Sequence, residues 1–311
     1  MMDIIHLTNK QIDKQQWDAL VGQSPDFRPY ALSWYLDAVS PGWAALVAGQ
    51  YQAVMPLPRA RKYGLRYVRQ PRFSQQLGVF SARPLDAATL QAFIAALPWH
   101  YVLLDLNFHS ASPLPAAWQA RLSERPNYLV DLRPGASELF AAYSINTRRN
   151  VRKTQREPFT LADGYPPKAF VAFKRRFATN LTEADYRRLV QLLAHGQQRN
   201  QMTVYVVKDD QQNVLAAAAF ALAGKRRVMI NNASSAEGMK RRAMFFLIDA
   251  LVQQWAGQDA FLDFEGSQVP GVARFFAGFG AQPEYYHRLF CKAWMRPRMA
   301  RCAHLHEKLK Q

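Results

Sequence analysis

One carboxylate stands out in the sequence because it directly follows a short apolar segment. Residues 261–264 are predicted to form a strand, and Glu265 comes next. Strand ends are where mixed sheets commonly bind ligands, so Glu265 is a candidate general base. Asp263, inside the strand, is expected to face the opposite side or to be buried. The alternative is that Glu265 caps the following helix or pairs with an arginine.

Polar and basic residues occupy the end of a second predicted strand, residues 227–232, and the segment after it. They are Asn231, Asn232, Ser234, Ser235, Gly238, Lys240, Arg241 and Arg242. Their amide and hydroxyl groups could donate hydrogen bonds to a ligand. The backbone amides at the start of the next helix could bind a pyrophosphate, with the three cations adding charge. The alternative is that the polar residues only form the turn between strand and helix.

A third candidate site is a run of cations at helical spacing, Arg148, Arg149, Arg152 and Lys153. Arg148 and Arg152 are one helical turn apart and share a face, where like charges repel. An anion would relieve this repulsion, so the run predicts binding of a phosphate on a substrate or cofactor. A solvated basic helix face is the alternative.

A metal site is not expected. Cys302, His304 and His306 have alternating spacing, but a fourth ligand is missing and the segment is a basic tail. With Cys291 as the only other cysteine, the chain has too few for a disulfide framework, which is consistent with a reducing compartment.

The composition is that of a globular protein, with 49% apolar and 20% charged residues in a chain of 311. The longest apolar run, residues 214–223, is too short to span a bilayer, and the first residues do not resemble a secretory signal. We therefore expect a cytoplasmic protein without a transmembrane segment. The net charge of +17 favours phosphates, acidic surfaces or anionic lipid as partners.

The cations are clustered along the chain. One cluster contains no acidic residue and consists of Arg59, Arg61, Lys62, Arg66, Arg69 and Arg72. A solvated surface would explain any single cluster, but several clusters together indicate an anionic partner.

The elements that must position these residues follow the same order twice, over residues 43–132 and 203–292. Each stretch is predicted to contain strands, a helix, a strand, a second helix and a final strand, and two similar units predict a cleft between them. The first repeat has its second helix at 113–123 and its last strand at 127–132. The second repeat ends with a strand at 284–293.

The segment between the repeats is predicted to be helical, over residues 139–155, 167–178 and 182–198. We place a domain boundary near Pro134 and Gly135, which gives domains at 1–135 and 136–294 and a basic tail at 295–311. The predicted fold class is α+β (α/β), with two tandem domains, each a mixed sheet flanked by helices.

Three short segments resemble known transferases. Residues 262–266, Leu-Asp-Phe-Glu-Gly, are similar to the strand that ends in aromatic-x-Gly in the GNAT-type N-acetyltransferase fold. Residues 275–280, Phe-Phe-Ala-Gly-Phe-Gly, resemble the aromatic helix end of that fold. Residues 145–153 are similar to the Arg-x-x-Arg/Lys-Lys helix that opens the second domain of Fem-type aminoacyl transferases. Over most of its length the chain therefore resembles tandem acetyltransferase-like proteins, namely the Fem-type transferases and related bacterial acyltransferases.

This resemblance implies transfer of an acyl group from acyl-CoA, acting as co-substrate, to an amine, without a metal. Glu265 would take the amine proton, and Tyr285 and Tyr286 are candidate acids. The polar and basic residues after strand 227–232 would bind the cofactor. The cations of 148–153, with Ser267, would bind the acceptor, an amine-bearing small molecule or a compound like a cell-wall precursor.

Two positions depart from the family pattern. Phe276 occupies the place where acetyltransferases often have a tyrosine that protonates the thiolate, and where the Fem type has a lysine. A phenyl ring can do neither. In addition, residues 231–243 contain a single glycine, Gly238, in place of the glycine-rich phosphate-binding turn.

Two other functions remain open. A Fem-type aminoacyl transferase would use charged tRNA, which the net charge favours and Phe276 disfavours. A binding protein without catalytic activity, for nucleic acid or an anionic surface, would use the basic runs together with Tyr63, Tyr67 and Phe73. In the second case Glu265→Gln would leave function unchanged. Oligomeric state is not predicted.

Overall fold

The computed structural model describes residues 3–177, 181–266 and 269–293. The chain forms two compact units, one from residues up to 125 together with those from 285 onward, and the other from residues 126–284. This division differs from the predicted one at 135 and 136, and the basic tail predicted at 295–311 lies outside the described residues.

The described residues contain fourteen strands and ten α-helices. The first elements are β1 (Ile4–Leu7), α1 (Lys14–Gln23), α2 (Ser33–Val39), β2 (Ala44–Ala48), β3 (Ala53–Leu57), β4 (Arg59–Lys62), β5 (Leu65–Arg69), β6 (Phe80–Ser81), α3 (Ala87–Ala95) and β7 (Tyr101–Phe108). They are followed by β8 (Leu122–Asp131), α4 (Ala136–Ala142), α5 (Ile145–Thr154), β9 (Thr160–Ala162), α6 (Pro167–Phe177), α7 (Glu183–Gln198), β10 (Met202–Lys208), β11 (Val214–Ala223) and β12 (Arg226–Ser234). The last elements are α8 (Ala236–Lys240), α9 (Ala243–Trp255), β13 (Phe261–Asp263), α10 (Pro270–Ala277) and β14 (Gln282–Lys292).

The first unit contains two sheets. One is antiparallel, in the order β1-β2-β3-β6, and it includes the predicted hairpin of β2 and β3. In the other, β4 pairs with β5, β5 runs parallel to β7, and β14 pairs antiparallel with β7. The helix predicted at 113–123 is instead a 3-10 helix over Ala116–Arg121. Pro113 and Pro115 lack backbone donors, and a strand begins directly afterwards.

The second unit contains a mixed sheet in the order β8-β13-β12-β11-β10-β9. Its one parallel pair among the described strands is β12 with β13. The last strands of the two predicted repeats are therefore exchanged: β8 pairs with β13 of the second unit, and β14 pairs with β7 of the first. An apolar strand pattern does not encode its neighbour in the sheet, which is why the sequence assigned each strand to the nearer repeat.

Side-chain caps set the helix boundaries. Thr182 and Asp185 exchange hydrogen bonds at the start of α7 and so form a capping box. The single helix predicted over 139–155 is divided into α4 and α5. Ser144 accepts a hydrogen bond from the Thr147 amide and so begins a new helix.

The core of the second unit is formed by α9 packed on the sheet. Leu247, Leu251 and Trp255 are buried on α9, and the Trp255 ring lies 5.5 Å from that of Phe220 on β11. Helix α8 lies close to β11 because Gly238 has no side chain: a Cβ there would be 1.9 Å from the Leu215 carbonyl oxygen.

A buried arginine joins the parallel strands. Arg226, the first residue of β12, lies 2.8 Å from Asp263 on β13 and 2.8 Å from Glu284, and its side chain is only 13% exposed. Burial alone would lower the pKa of Arg226, but the carboxylates of Asp263 and Glu284 raise it above its ordinary value. The expectation that Asp263 is buried is confirmed.

Replacing this arginine should destabilise the second unit. We expect Arg226→Met to lower the free energy of unfolding by about 3–5 kcal/mol, because it leaves two carboxylates without their buried cation. Chemical denaturation measures the change. The matched control is Arg133→Met, which removes an exposed arginine paired with Asp131 and should have little effect. Equal stability of the two variants would contradict the assigned importance of the buried network.

Candidate functional site

The parallel strands β12 and β13 stay together over only a short distance. Arg226, Arg227 and Val228 are opposite Phe261, Leu262 and Asp263, and β12 then continues to Ser234 without β13 beside it. The edge of β12 that faces away from β11 is therefore free of a paired strand beyond Val228.

Along an antiparallel pair of strands, residues that are hydrogen-bonded to the partner strand alternate with residues that are not. This alternation identifies which backbone groups of β12 lie on the free edge. Ser235 donates its amide to the Leu215 carbonyl on β11. Bonded and non-bonded residues alternate along the ladder, so the backbone groups of Asn232 and Ser234 point away from β11. They are available to an extended ligand, except for the Asn232 carbonyl, which accepts a hydrogen bond from the Lys174 ammonium.

A β-bulge lies in the same part of β12. Ala219 is opposite Asn231 and Phe220 is opposite Met229, so Ile230 has no partner residue on β11. A bulge of this kind breaks the ladder locally and turns backbone groups out of the regular pattern. Bulges are common next to active sites for this reason.

A pocket of about 280 Å³ lies beside the free edge, within the second unit. Met229, Asn232 and Ser234 of β12 form one side of it. Gly238, Arg242 and Phe245 contribute from α8, the residue before α9, and α9 itself. The pocket therefore combines free strand backbone with the start of a long helix.

Aromatic residues of α10 form the opposite wall. Phe275 and Phe276 line the pocket, and the ring of Phe276 stacks on that of Phe264 at 4.7 Å between centroids. The position in which related folds often have a tyrosine or lysine is thus a packed, apolar wall. Any proton transfer in this pocket must use other groups.

Four of the eight predicted cofactor-binding residues line the pocket: Asn232, Ser234, Gly238 and Arg242. Asn231 and Ser235 do not, and Ser235 instead caps α8 by accepting a hydrogen bond from the Gly238 amide. Lys240 is also outside the pocket lining, with its exposed side chain 3.9 Å from Glu237.

Arg241 also lies outside the pocket lining, and it has a structural partner. Its guanidinium lies 2.6 Å from Glu157 and over the ring of Phe159. The hydrogen bond to Glu157 raises the pKa of Arg241. The charge of this residue is therefore largely balanced within the protein.

Arg242 differs from its neighbour in conformation and partners. Its backbone has φ 65°, in the left-handed region, and it precedes α9, whose first amides do not donate to its side chain. Its guanidinium donates to the Asn150 side chain and to the Lys240 carbonyl. Among the described residues no carboxylate lies within 4.0 Å of it. The start of α9 thus offers helix amides and an uncompensated cation to an anion.

Glu265 follows β13 where that strand has parted from β12. It is half-buried, and its backbone has φ 56°, a left-handed conformation that is costly for a residue other than glycine. The conformation is held from both sides: the Glu265 amide donates to Asp263, and the Glu265 carbonyl accepts from the Tyr128 amide. The carboxylate of Asp263 therefore binds Arg226 and also orients Glu265.

Glu265 is not among the residues that line this pocket, and the remaining predicted residues do not line it either. Tyr285 and Tyr286 lie on the part of β14 that belongs to the first unit, where Tyr285 is half-exposed and Tyr286 is buried. Ser267 lies outside the described residues. The Cys302, His304 and His306 segment does too, and no cluster of three metal-ligating side chains occurs in the described part of the chain.

The predicted cations of α5 lie together around a second concavity of about 530 Å³. It is lined by Ile145, Arg148, Arg149, Arg152, Lys153 and Arg156. Arg148 donates to the Ala141 carbonyl, and Arg152 lies over the ring of Phe140. Within residues 3–177, 181–266 and 269–293, none of the five cations has a carboxylate within 4.0 Å.

A buried lysine near β12 was not singled out from the sequence. Lys174 on α6 is only 6% exposed, and its ammonium donates to the carbonyl of Asn232, a pocket residue. Burial lowers its pKa from the ordinary value of 10.5. The sequence signal was weak, because Lys174 precedes Arg175 and Arg176 and looks like part of a solvated basic run.

No family model and no curated protein matches this chain by sequence. Solved structures do match. FemX has a TM-score of 0.63 at 13% identity, over 92% of this chain and 97% of FemX. A tandem GNAT protein from the clavulanic acid biosynthesis pathway has a TM-score of 0.57 at 12% identity, over 94% and 99% of the two chains. L-PGS from Bacillus licheniformis has a TM-score of 0.54 at 12% identity, over 94% and 96%.

These similarities confirm the predicted fold class and the resemblance to tandem GNAT-like and Fem-type proteins. In the described residues, no helix has the length and apolar character required to cross a membrane. At identities this low the similarity establishes the fold. The chain thus has the tandem acetyltransferase-like fold.

Proposed function

We propose that this protein transfers an acyl group from an acyl-CoA thioester to an amine acceptor. The observation that carries the proposal is the pocket beside the free edge of β12, between the start of α9 and the aromatic wall of α10. The structural similarity to a tandem GNAT protein, whose structure was solved without AcCoA, supports a donor of the same class.

The pocket has the groups that an acyl-CoA needs. The pantetheine arm is extended and carries two amides, so it can pair with the Asn232 amide and the backbone of Ser234 as an added strand would. The pyrophosphate would be held by the first amides of α9 and by Arg242. The acyl chain would lie against Phe275 and Phe276.

The reaction requires removal of the amine proton and stabilisation of the oxyanion. We assign proton removal to Glu265, which the Asp263 side chain holds at the end of β13. The backbone around the bulge at Ile230 would donate to the oxyanion. The amine nitrogen attacks the thioester carbon, and the C–S bond then breaks to release the coenzyme A thiolate.

Binding of the donor should be measurable without knowing the acceptor. We expect acetyl-CoA to raise the melting temperature at both low and high salt, because it binds only the folded state. For Arg242→Met we expect that about tenfold more acetyl-CoA is needed to produce the same shift, because one charge-assisted contact is lost. Lys208→Met, which removes a half-buried cation outside the pocket, is the control. A shift that disappears at high salt would indicate only general phosphate attraction.

Catalysis should depend on the carboxylate of Glu265. We expect Glu265→Gln to lower kcat by about 100-fold or more, since general base catalysis commonly contributes that much. The melting temperature and the acetyl-CoA shift should remain as in the wild type. Release of coenzyme A in the presence of a panel of amines measures turnover. Unchanged turnover would favour the binding protein without catalytic activity.

Lys174 should make stability depend on pH. Because burial lowers its folded-state pKa, the unfolded chain binds more protons between that lowered value and 10.5. The free energy of unfolding of the wild type should therefore rise with pH in this window, relative to Lys174→Met. Denaturation at several pH values above neutrality measures the difference. If the difference in free energy of unfolding between the wild type and Lys174→Met does not change with pH, the lysine is not desolvated.

The second candidate is an aminoacyl transferase that uses charged tRNA. The five cations around the α5 concavity favour it, because no described carboxylate within 4.0 Å balances them. The likeness to FemX supports the same class of fold. Arg148→Glu with Arg152→Glu should abolish binding of charged tRNA and leave the acetyl-CoA shift intact. A salt-resistant shift with charged tRNA and none with acetyl-CoA would replace the first proposal by this one.

A further inference from the structure

We propose that the hairpin of β4 and β5, together with Trp99, is a docking surface for an anionic lipid bilayer. This surface, the aromatic–basic patch, consists of Arg61, Lys62, Tyr63, Leu65, Arg66 and Trp99. It belongs entirely to the first unit, whereas the pocket belongs to the second. The inference therefore does not rest on the proposed transferase activity.

Strand pairing brings the members of the patch to one end of a sheet. Lys62 is opposite Leu65, so Tyr63 and Gly64 form a two-residue turn, with φ 51° and 77°. Strand β5 runs parallel to β7 with Arg66 opposite Tyr101. Trp99 precedes Tyr101 by two residues and therefore lies at the same end of the sheet as the turn.

The apolar members of the patch are unusually exposed. Tyr63 and Trp99 are each 87% exposed, and Leu65 is 49% exposed. All six residues from 61 to 66 are exposed in sequence. An aromatic residue at a turn position that favours glycine or asparagine is also costly in backbone conformation. Large apolar side chains at such a tip indicate an interaction surface.

The positive charges of the patch are not balanced by nearby carboxylates. Arg61 on β4 is directly opposite Arg66 on β5, and like charges in that position destabilise a hairpin. Among the described residues no carboxylate lies within 4.0 Å of Arg61, Lys62 or Arg66. A negatively charged surface would relieve this repulsion, whereas water and salt only screen it.

A bilayer fits this arrangement better than a nucleic acid does. Tryptophan and tyrosine are favoured at the membrane interface, and adjacent cations bind anionic headgroups. Single-stranded nucleic acid is usually bound in a groove where aromatic faces stack the bases. Here Tyr63 and Leu65 lie at the exposed turn of a hairpin, and Trp99 lies at the same end of the sheet, so these side chains can insert between headgroups.

Vesicle co-sedimentation of the full chain tests the proposal. The probe is a vesicle of phosphatidylcholine containing about one third phosphatidylglycerol, which supplies the negative surface potential. We expect binding to these vesicles and at least about tenfold weaker binding to pure phosphatidylcholine. Arg61→Glu with Arg66→Glu should weaken binding by more than about tenfold, because each basic residue near such a surface contributes about fivefold.

A second variant separates insertion from charge attraction. Tyr63→Ser with Trp99→Ser keeps every cation and removes the two most exposed aromatic rings. We expect it to lose the binding that persists at high salt, by about tenfold or more, because that part comes from buried apolar area. Melting curves of each variant verify that the chain is folded.

The matched control is Lys168→Glu with Arg187→Glu, which changes the net charge equally at exposed positions of the second unit. It should retain vesicle binding within about twofold. Equal weakening of the control and the patch variant would overturn the proposal in favour of general charge attraction. So would absence of vesicle binding, preferential binding of single-stranded RNA at the patch, or a dimer in light scattering that the Tyr63→Ser, Trp99→Ser variant abolishes.

Discussion

The candidate site depends on one constraint, the short pairing of β12 with β13. The two strands are joined over three residues, and the buried Arg226 holds that end by binding Asp263 and Glu284. Beyond this point β12 continues alone, and its free backbone becomes accessible on the side away from β11. A longer pairing would use these groups in the sheet. The same Asp263 carboxylate holds Glu265, so one buried network fixes both the closed end of the strands and the candidate base.

The candidate site also requires the start of a helix close to the free edge of β12, and a small residue makes this possible. The chain leaves β12 through α8, which can contact the β11 backbone only because residue 238 is glycine. Gly238 was predicted to bind a cofactor, and it does line the pocket, but its most direct contact is with this strand. The left-handed conformation of Arg242 then turns the chain into α9. The direction of α9, and hence of its free amides, is set by packing of its apolar face on the sheet.

The excess positive charge is distributed in two different ways. Arg226 and Arg241 are neutralised by carboxylates and stabilise the fold. The cations of α5 and of the aromatic–basic patch have no described carboxylate within 4.0 Å, so their charge remains available to partners. The general attraction to anions is therefore weaker than a net charge of +17 suggests, and the attraction is concentrated at these two surfaces. The buried Lys174 belongs to neither group, because its ammonium donates to the Asn232 carbonyl.

The sequence by itself determined the fold class and most elements. The apolar run at 227–232 identified most of β12, and the pattern over residues 182–198 identified α7. These signals are local, because side-chain periodicity and capping act within a few residues. The sequence also indicated that Asp263 is buried and that polar and basic residues follow β12, of which four line the pocket.

Only the tertiary structure decided which strands are neighbours and which cations are free. The exchange of β8 and β14 between the units, and the separation of β12 from β13, arise from backbone hydrogen bonds between distant residues. Side-chain identity specifies such pairing weakly. Arg241 and Arg242 are adjacent in sequence, yet one binds Glu157 and the other precedes α9 beside the pocket. Their different roles follow from which charged groups lie near them in the folded chain, and the spacing of residues in the sequence does not contain that information.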